Sequence, residues 1–245
     1  MNEPGHSIRE VLESQIARAD ELYSELEIEV KKDLGNSRVS LRTAEITEEI
    51  LVKLRICLDK GINQYQYLRT KSVNKNLSFP ICHNSKHFED KLITYGLKNL
   101  DKTDSKLFSL LYNVQPFVSK DYAEIIELDE QGSKGKHRDL SLQEKKIVAE
   151  RTTISHNSGS WVSWLSSGSS HVTFGSGVSI LGVPINPNSQ LPDNLPPTHS
   201  LVKEKFISVK FQGKDLDVLQ FCRKSIDEVK KIANQIILLG EDVST

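Results

Sequence analysis

One stripe of apolar side chains dominates the start of this sequence. Ile8, Val11, Leu12, Ile16, Ala19, Leu22, Tyr23, Leu26 and Val30 recur at spacings of three and four between residues 7 and 34. That period places them on one face of a single long amphipathic helix. Ser7 is suited to cap its start, with Glu10 three residues on to complete a capping box, and Gly35-Asn36 supplies the stop. A helix with so much apolar surface must bury it, in a bundle or across a dimer interface. The near-heptad pattern lasts about three heptads and lacks clean polar seams, which favours the bundle.

The pattern continues in the following segments. Residues 37–43 alternate Val39 and Leu41 with polar residues and predict a short strand. A second long helix is expected over 46–69 through Ile50, Leu51, Leu54, Leu58, Ile62, Tyr65 and Leu68. Phe79-Pro80-Ile81 reads as an extended connection, because proline disfavours helix in the residue before it. Shorter helices are expected over 86–95, capped by Ser85, over 105–114, capped by Thr103 or Asp104, and over 119–131. From Ser155 to Ser179 serine and glycine dominate, with Trp161, Trp164, Val172 and Phe174 interleaved, and short strands replace helices. A proline-rich loop at 184–197, a strand at 206–211 and an amphipathic helix at 217–239 complete the chain. The expectation is an α+β protein: an N-terminal helical bundle over 1–150, then a small antiparallel sheet with a C-terminal helix over 151–245, sharing one core with the bundle.

Composition narrows the possible partners. The 32 basic and 33 acidic residues leave a net charge of −1, so nothing steers the whole molecule toward nucleic acid or an anionic membrane. Three cysteines, Cys57, Cys82 and Cys222, without CxxC spacing, read as reduced buried thiols with no disulfide. The first ten residues lack the basic start and apolar run of a signal peptide. No apolar run approaches the roughly 20 residues that span a bilayer. A cytoplasmic protein with no membrane partner is the expectation.

One polar constellation stands out. Arg55 and Asp59 lie four apart on the second helix and share a face. Lys136, His137, Arg138 and Asp139 crowd one turn of chain within 133–140. If helix and turn meet, Arg55, Asp59, His137 and Arg138 form a polar centre. An ionic network joining two helices is the favoured reading of it, since buried charge needs a partner. Catalysis by His137 is the sharper alternative.

The order of several short elements resembles a family of uncharacterised bacterial proteins with LRxALDH-like, FPI, QP-aromatic and NxDKHR-like segments. Here these are LRICLDK at 54–60, FPI at 79–81, VQPF at 114–117 and GKHR at 135–138. Lys60 stands where the family's first element has His, and Ser133 and Gly135 stand where the last has Asn and Asp. The resemblance speaks to architecture more than to chemistry. A more distant resemblance is to HEPN helical bundles, whose ribonuclease members use an Arg-x4–6-His motif. Arg151 and His156 have that spacing. It implies a metal-independent endoribonuclease, with the histidine as acid or base and the arginine stabilising charge on phosphate.

Other patterns carry less. His83 and His87 have a zinc-compatible spacing beside Cys82, but Pro80 and the Ser85 cap make the two histidines diverge, and no second cluster follows. The Gly-Ser-Gly at 175–177 lacks the Lys-Ser/Thr ending of a phosphate loop. Trp161 and Trp164 read as packing residues. No cofactor or metal is expected. The cluster Lys134, Lys136, His137, Arg138, Lys145 and Lys146 mildly favours RNA as a partner. The function read from sequence is a non-enzymatic interaction or regulatory protein, binding a protein partner or itself through the amphipathic helices at 7–34 and 217–239. The alternative is the HEPN-like endoribonuclease acting through His137 or His156.

Overall fold

The structure is a computed structural model that describes residues 6–36, 38–137, 143–167 and 170–244, with main chain alone for 132–137 and 244. The chain is α+β, with helices first, a three-stranded antiparallel sheet next and a long helix last. Helix α1 spans Ile8–Gly35. The Ser7 hydroxyl accepts from the Glu10 amide at 3.2 Å, and the Glu10 carboxylate accepts from the Ser7 amide at 2.8 Å. This reciprocal box satisfies two donors that would otherwise be orphaned at the helix start.

Helix α2 spans Leu41–Thr70, and so the strand expected over 37–43 does not form. Asp33, nearly the last residue of α1, decides this. Its buried carboxylate accepts from the Ser40 amide at 2.8 Å, the Ser40 hydroxyl at 3.0 Å and the Thr43 hydroxyl at 2.6 Å. Ser40 in turn caps α2 by accepting from the Thr43 amide. A polar clasp formed by three side chains thus overrides a two-residue alternation of Val39 and Leu41. Burial works against ionisation of Asp33, but hydrogen bonds from Thr43 and Ser40 hold its carboxyl below the usual range.

An extended stretch, 77–82, leads to α3 (Ser85–Thr94), capped by Asn84 rather than Ser85, then to the single turn α4 (Leu100–Thr103) and α5 (Ser105–Asn113). Asp104 caps α5 by accepting from the Leu107 amide at 3.0 Å. After a 3-10 turn at Lys120–Tyr122, α6 spans Glu124–His137, so the first half of the segment expected as a turn at 133–140 continues a helix. The last helix, α7, spans Val218–Ser244. No helix among the described residues is long and apolar enough to cross a membrane.

Two compact units divide the chain: the residues up to Glu144 together with Lys210 onward, and Lys145–Val209. This differs from the expected division at 150, which grouped the last helix with the sheet. In the first unit α7 packs on α1, α2, α5 and α6, because its stripe of Val218, Phe221, Cys222, Ile226, Val229, Ile232 and Ile236 matches theirs. Leu12, Leu22, Leu26, Ile50, Leu54, Leu58 and Ile62 complete that core. Each such side chain contributes about 1.5–3 kcal/mol on burial. Gly61 lets α2 lie close to its neighbours: a Cβ there would meet Ile236 at 3.1 Å and Leu12 at 3.3 Å. The stripes that marked 7–34 and 217–239 as candidate binding faces are therefore consumed inside the bundle.

In the second unit the strands are β1 (Gln143–His156), β2 (Trp161–Ser167) and β5 (His199–Phe211), in the order β2-β1-β5. Strand β1 starts well before the expected change to strands at 155. Its residues 149–155 pair with β2 in the ladder, and their modest apolar content suits a sheet with one open face. One face packs Ile154, Trp164 and Leu201 against Phe174, Ile180, Leu181 and Ile185. The last three come from a hairpin of β3 (Ser179–Ile180) and β4 (Val183–Pro184) and from the residue after it, where the expected short strands give way to the loop expected at 184–197. Leu181 and Gly182 both take positive φ, 51° and 79°, as a two-residue hairpin turn requires.

Candidate functional site

The extended stretch 77–82 is buried although it belongs to no helix or sheet, so its main-chain polar groups need partners from elsewhere. Side chains supply them. Asn63 donates to the Leu77 carbonyl at 2.8 Å and Arg55 Nη2 to the Phe79 carbonyl at 3.0 Å. Gln115 donates to the Pro80 carbonyl at 2.9 Å and accepts from the Cys82 amide at 3.0 Å. Lys91 donates to the Ile81 carbonyl at 2.8 Å. The Asp59 carboxylate accepts from the Phe79 amide at 2.8 Å and from the Ser78 hydroxyl at 2.7 Å. Helix α2 provides Arg55, Asp59 and Asn63 at four-residue steps, a row that faces the stretch along its length.

Arg55 is the hub. It is 8% exposed, and Nη2 also donates to the Ser78 hydroxyl at 2.9 Å while lying 3.4 Å from Asp59 Oδ1. Its Nε lies 3.4 Å from Asp129 Oδ1 on α6. Nη1 is buried and has no hydrogen-bond partner among the described residues. Two carboxylates therefore offset one buried guanidinium, and two carboxylate-bound donors come from the main chain or a hydroxyl. Burial pushes the Tyr95 phenol up, against a pull from Arg55. Burial likewise pushes the Cys82 thiol up to about 11, so at neutral pH it is protonated and a poor nucleophile. The chemistry available here is cohesion: a charged pair whose donors and acceptors are directed at the protein's own backbone.

Of the four residues expected to form a polar centre, Arg55 and Asp59 do sit together. His137 ends α6, a little over two turns beyond Asp129, with its side chain outside what is described, and Arg138 lies outside the described residues. Asp129 is the partner from α6 that the sequence did not reveal; no motif marked it among the acidic residues of that helix. Ser78, Asn63 and Lys91 were equally silent. Three of the short elements, LRICLDK, FPI and VQPF, converge on this one clasp, through Arg55 and Asp59, Phe79 to Ile81, and Gln115.

Arg151 and His156 do not form a pair. Both lie on β1, five residues apart, so their side chains leave opposite faces and their Cα atoms are about 16 Å apart. Arg151 stacks on Phe206, 5.1 Å from the ring centroid, whereas His156 accepts from the Ser158 amide at 3.1 Å and packs 4.6 Å from the His199 ring. The helical spacing of the ribonuclease motif is lost on a strand. His83 and His87 stack with centroids 6.2 Å apart, and among the described residues no three His, Cys, Asp or Glu side chains gather as a metal set. A groove between α5 and α7 is lined by Lys106, Ser109, Leu110, Gln235, Leu238 and Leu239, and among the described residues no converging charged groups line it.

Compared with known protein families, with curated proteins and with solved structures, the chain matches none.

Proposed function

We propose that the protein is a cytoplasmic bacterial interaction or regulatory protein that works by binding and not by catalysis, and that the Arg55–Asp59 centre is an internal clamp. One observation carries the reading. Arg55 Nη2 and Asp59 Oδ1 direct their hydrogen bonds at Ser78 and Phe79 of the same chain, so these atoms are engaged in holding the fold. Catalytic acids and bases, by contrast, need reach to a reacting atom. The balanced charge and the resemblance to a bacterial family support the cellular setting.

The test is direct. Purified protein incubated with single-stranded and structured RNA, in chelator, is expected to leave it intact, and Asp59→Asn is expected to lower thermal stability. Metal-free cleavage by the wild type, lost in His137→Ala or in His156→Ala, would reverse the reading in favour of an endoribonuclease.

A further inference from the structure

Near the C-terminal end of α2, a cavity of about 240 Å³ opens between that helix, the turn that follows α3, and α4. Its lining carries two cations, Arg69 and Lys98, and one carboxylate, Asp104. The carboxylate is 8% exposed and engaged on both oxygens. Oδ1 accepts from the Leu107 amide at 3.0 Å, and Oδ2 accepts from the Tyr65 hydroxyl at 2.7 Å and pairs with Arg69 Nη1. Arg69 Nη2 donates to the Thr103 carbonyl. A guanidinium has five N–H groups, and these two contacts leave more than half of them uncommitted. Asp104 and Thr103 thus fix the orientation of a cation whose side chain is still 36% exposed. Lys98 and the side-chain amide of Gln66 have no partner among the described residues.

We infer that this cavity binds a small oxyanion, the carboxylate or phosphate group of a molecule of a few carbons. Two cations against one carboxylate leave one positive charge without a counter-ion, and an anion is the ligand that matches it. The end of α2 adds partial negative charge, which its cap residue Lys71 offsets. A guanidinium recognises carboxylate and phosphate oxygens through paired hydrogen bonds, and one already held in place loses little freedom on binding. Gln66 offers a neutral donor on the α2 side, while Leu97 and Leu100 give a short carbon chain an apolar wall. At roughly 30 Å³ per water, the cavity has the volume of about eight waters. That suffices for one anionic group with a few further heavy atoms, and is too little for a nucleotide. The inference does not depend on the protein-binding reading above. It adds a small-molecule ligand to it, at a site that shares no residue with the Arg55–Asp59 clamp.

Isothermal titration calorimetry of the full chain at low ionic strength, with inorganic phosphate and with succinate as probes, tests this. At least one probe is expected to bind saturably, with a Kd of about 1 mM or tighter. The probe that responds identifies the anionic group. Lys98→Glu, at an exposed position, is expected to keep the ligand-free melting temperature and to weaken binding about tenfold or more. Arg69→Lys keeps the charge but loses the fork, and is expected to weaken binding by a similar factor. Should Arg69→Lys unfold, Lys98→Glu decides alone. Lys31→Ala, exposed on α1, is expected to bind as the wild type does. Lack of saturable binding by both probes up to about 50 mM overturns the inference. So does binding that survives Lys98→Glu or a folded Arg69→Lys, and so does an equal loss in Lys31→Ala, which marks general attraction to surface charge.

Discussion

Arg55 donates to the main-chain carbonyl of Phe79 at 3.0 Å, a charged side chain serving a buried stretch that has no secondary structure of its own. Asp59, one turn further along the same helix, accepts from the Phe79 amide at 2.8 Å. Together they treat Phe79 as a neighbouring strand would, binding both its donor and its acceptor. This is how a non-repetitive segment can lie in the core without stranded polar groups.

Removing one half of that clamp leaves the other half buried and unpaired. Asp59→Ala is expected to destabilise the protein by about 2–4 kcal/mol, since the Ser78 hydroxyl, the Phe79 amide and the Arg55 guanidinium all lose an acceptor. Arg55→Met should cost less than the sum of parts when combined with Asp59→Ala. A double-mutant cycle in urea unfolding is expected to show a coupling of about 1–3 kcal/mol.

Glu228 on α7 is 7% exposed, one of its oxygens has no partner among the described residues, and burial pushes its carboxyl up to about 7, with Glu124 of α6 adding repulsion and Lys231 and Lys224 opposing. A raised folded-state value means that the folded protein holds this proton more tightly than the unfolded chain. Its contribution is therefore fully present below about pH 4.5 and is lost as pH rises toward 7. Glu228→Gln is expected to stabilise the protein by up to about 3 kcal/mol at pH 8 and by almost nothing at pH 4.5. Denaturant midpoints for both proteins at the two values check this, and an equal gap at both would contradict it.

Glycines offer a test of close packing. Gly61→Val places a branched side chain against Ile236 and Leu12 and is expected to cost about 2–3 kcal/mol. Gly35→Ala, at the end of α1 with nothing within 4 Å of the new Cβ, is expected to be neutral or to stabilise by up to about 1 kcal/mol. Thermal melts of the two variants beside wild type separate helix propensity from crowding.

The three thiols are buried and free, with burial pushing Cys57 up to about 12, Cys82 up to about 11 and Cys222 up as well. Native protein is expected to give no reaction with a thiol reagent at pH 8 over minutes, and all three cysteines to react in denaturant. Rapid labelling of even one in the native state would show that its helix opens locally.

The stripe at 8–30, the Ser7–Glu10 box and the end of α2 near residue 69 were all legible because helix period and capping are local: every residue that decides them lies within a few positions. The same locality explains the errors. Val39 and Leu41 alternate as a strand would, but the acceptor that turns Ser40 and Thr43 into a helix start is Asp33, at the end of the preceding helix. Residues 145–154 have no strong period, because a sheet with one mixed, open face does not sort its side chains cleanly. Arg55 and Asp59 were recognisable as a pair from their spacing. That they hold Phe79, and that Asp129 is the carboxylate at Arg55 Nε, depended on contacts between distant segments that no local pattern encodes. Sequence alone determined which faces of the helices must be buried, since apolar period is a property of each segment. Only the tertiary structure decided what buries them, which charges meet, and which side of the sheet is left open, because those depend on how the segments pack around one another.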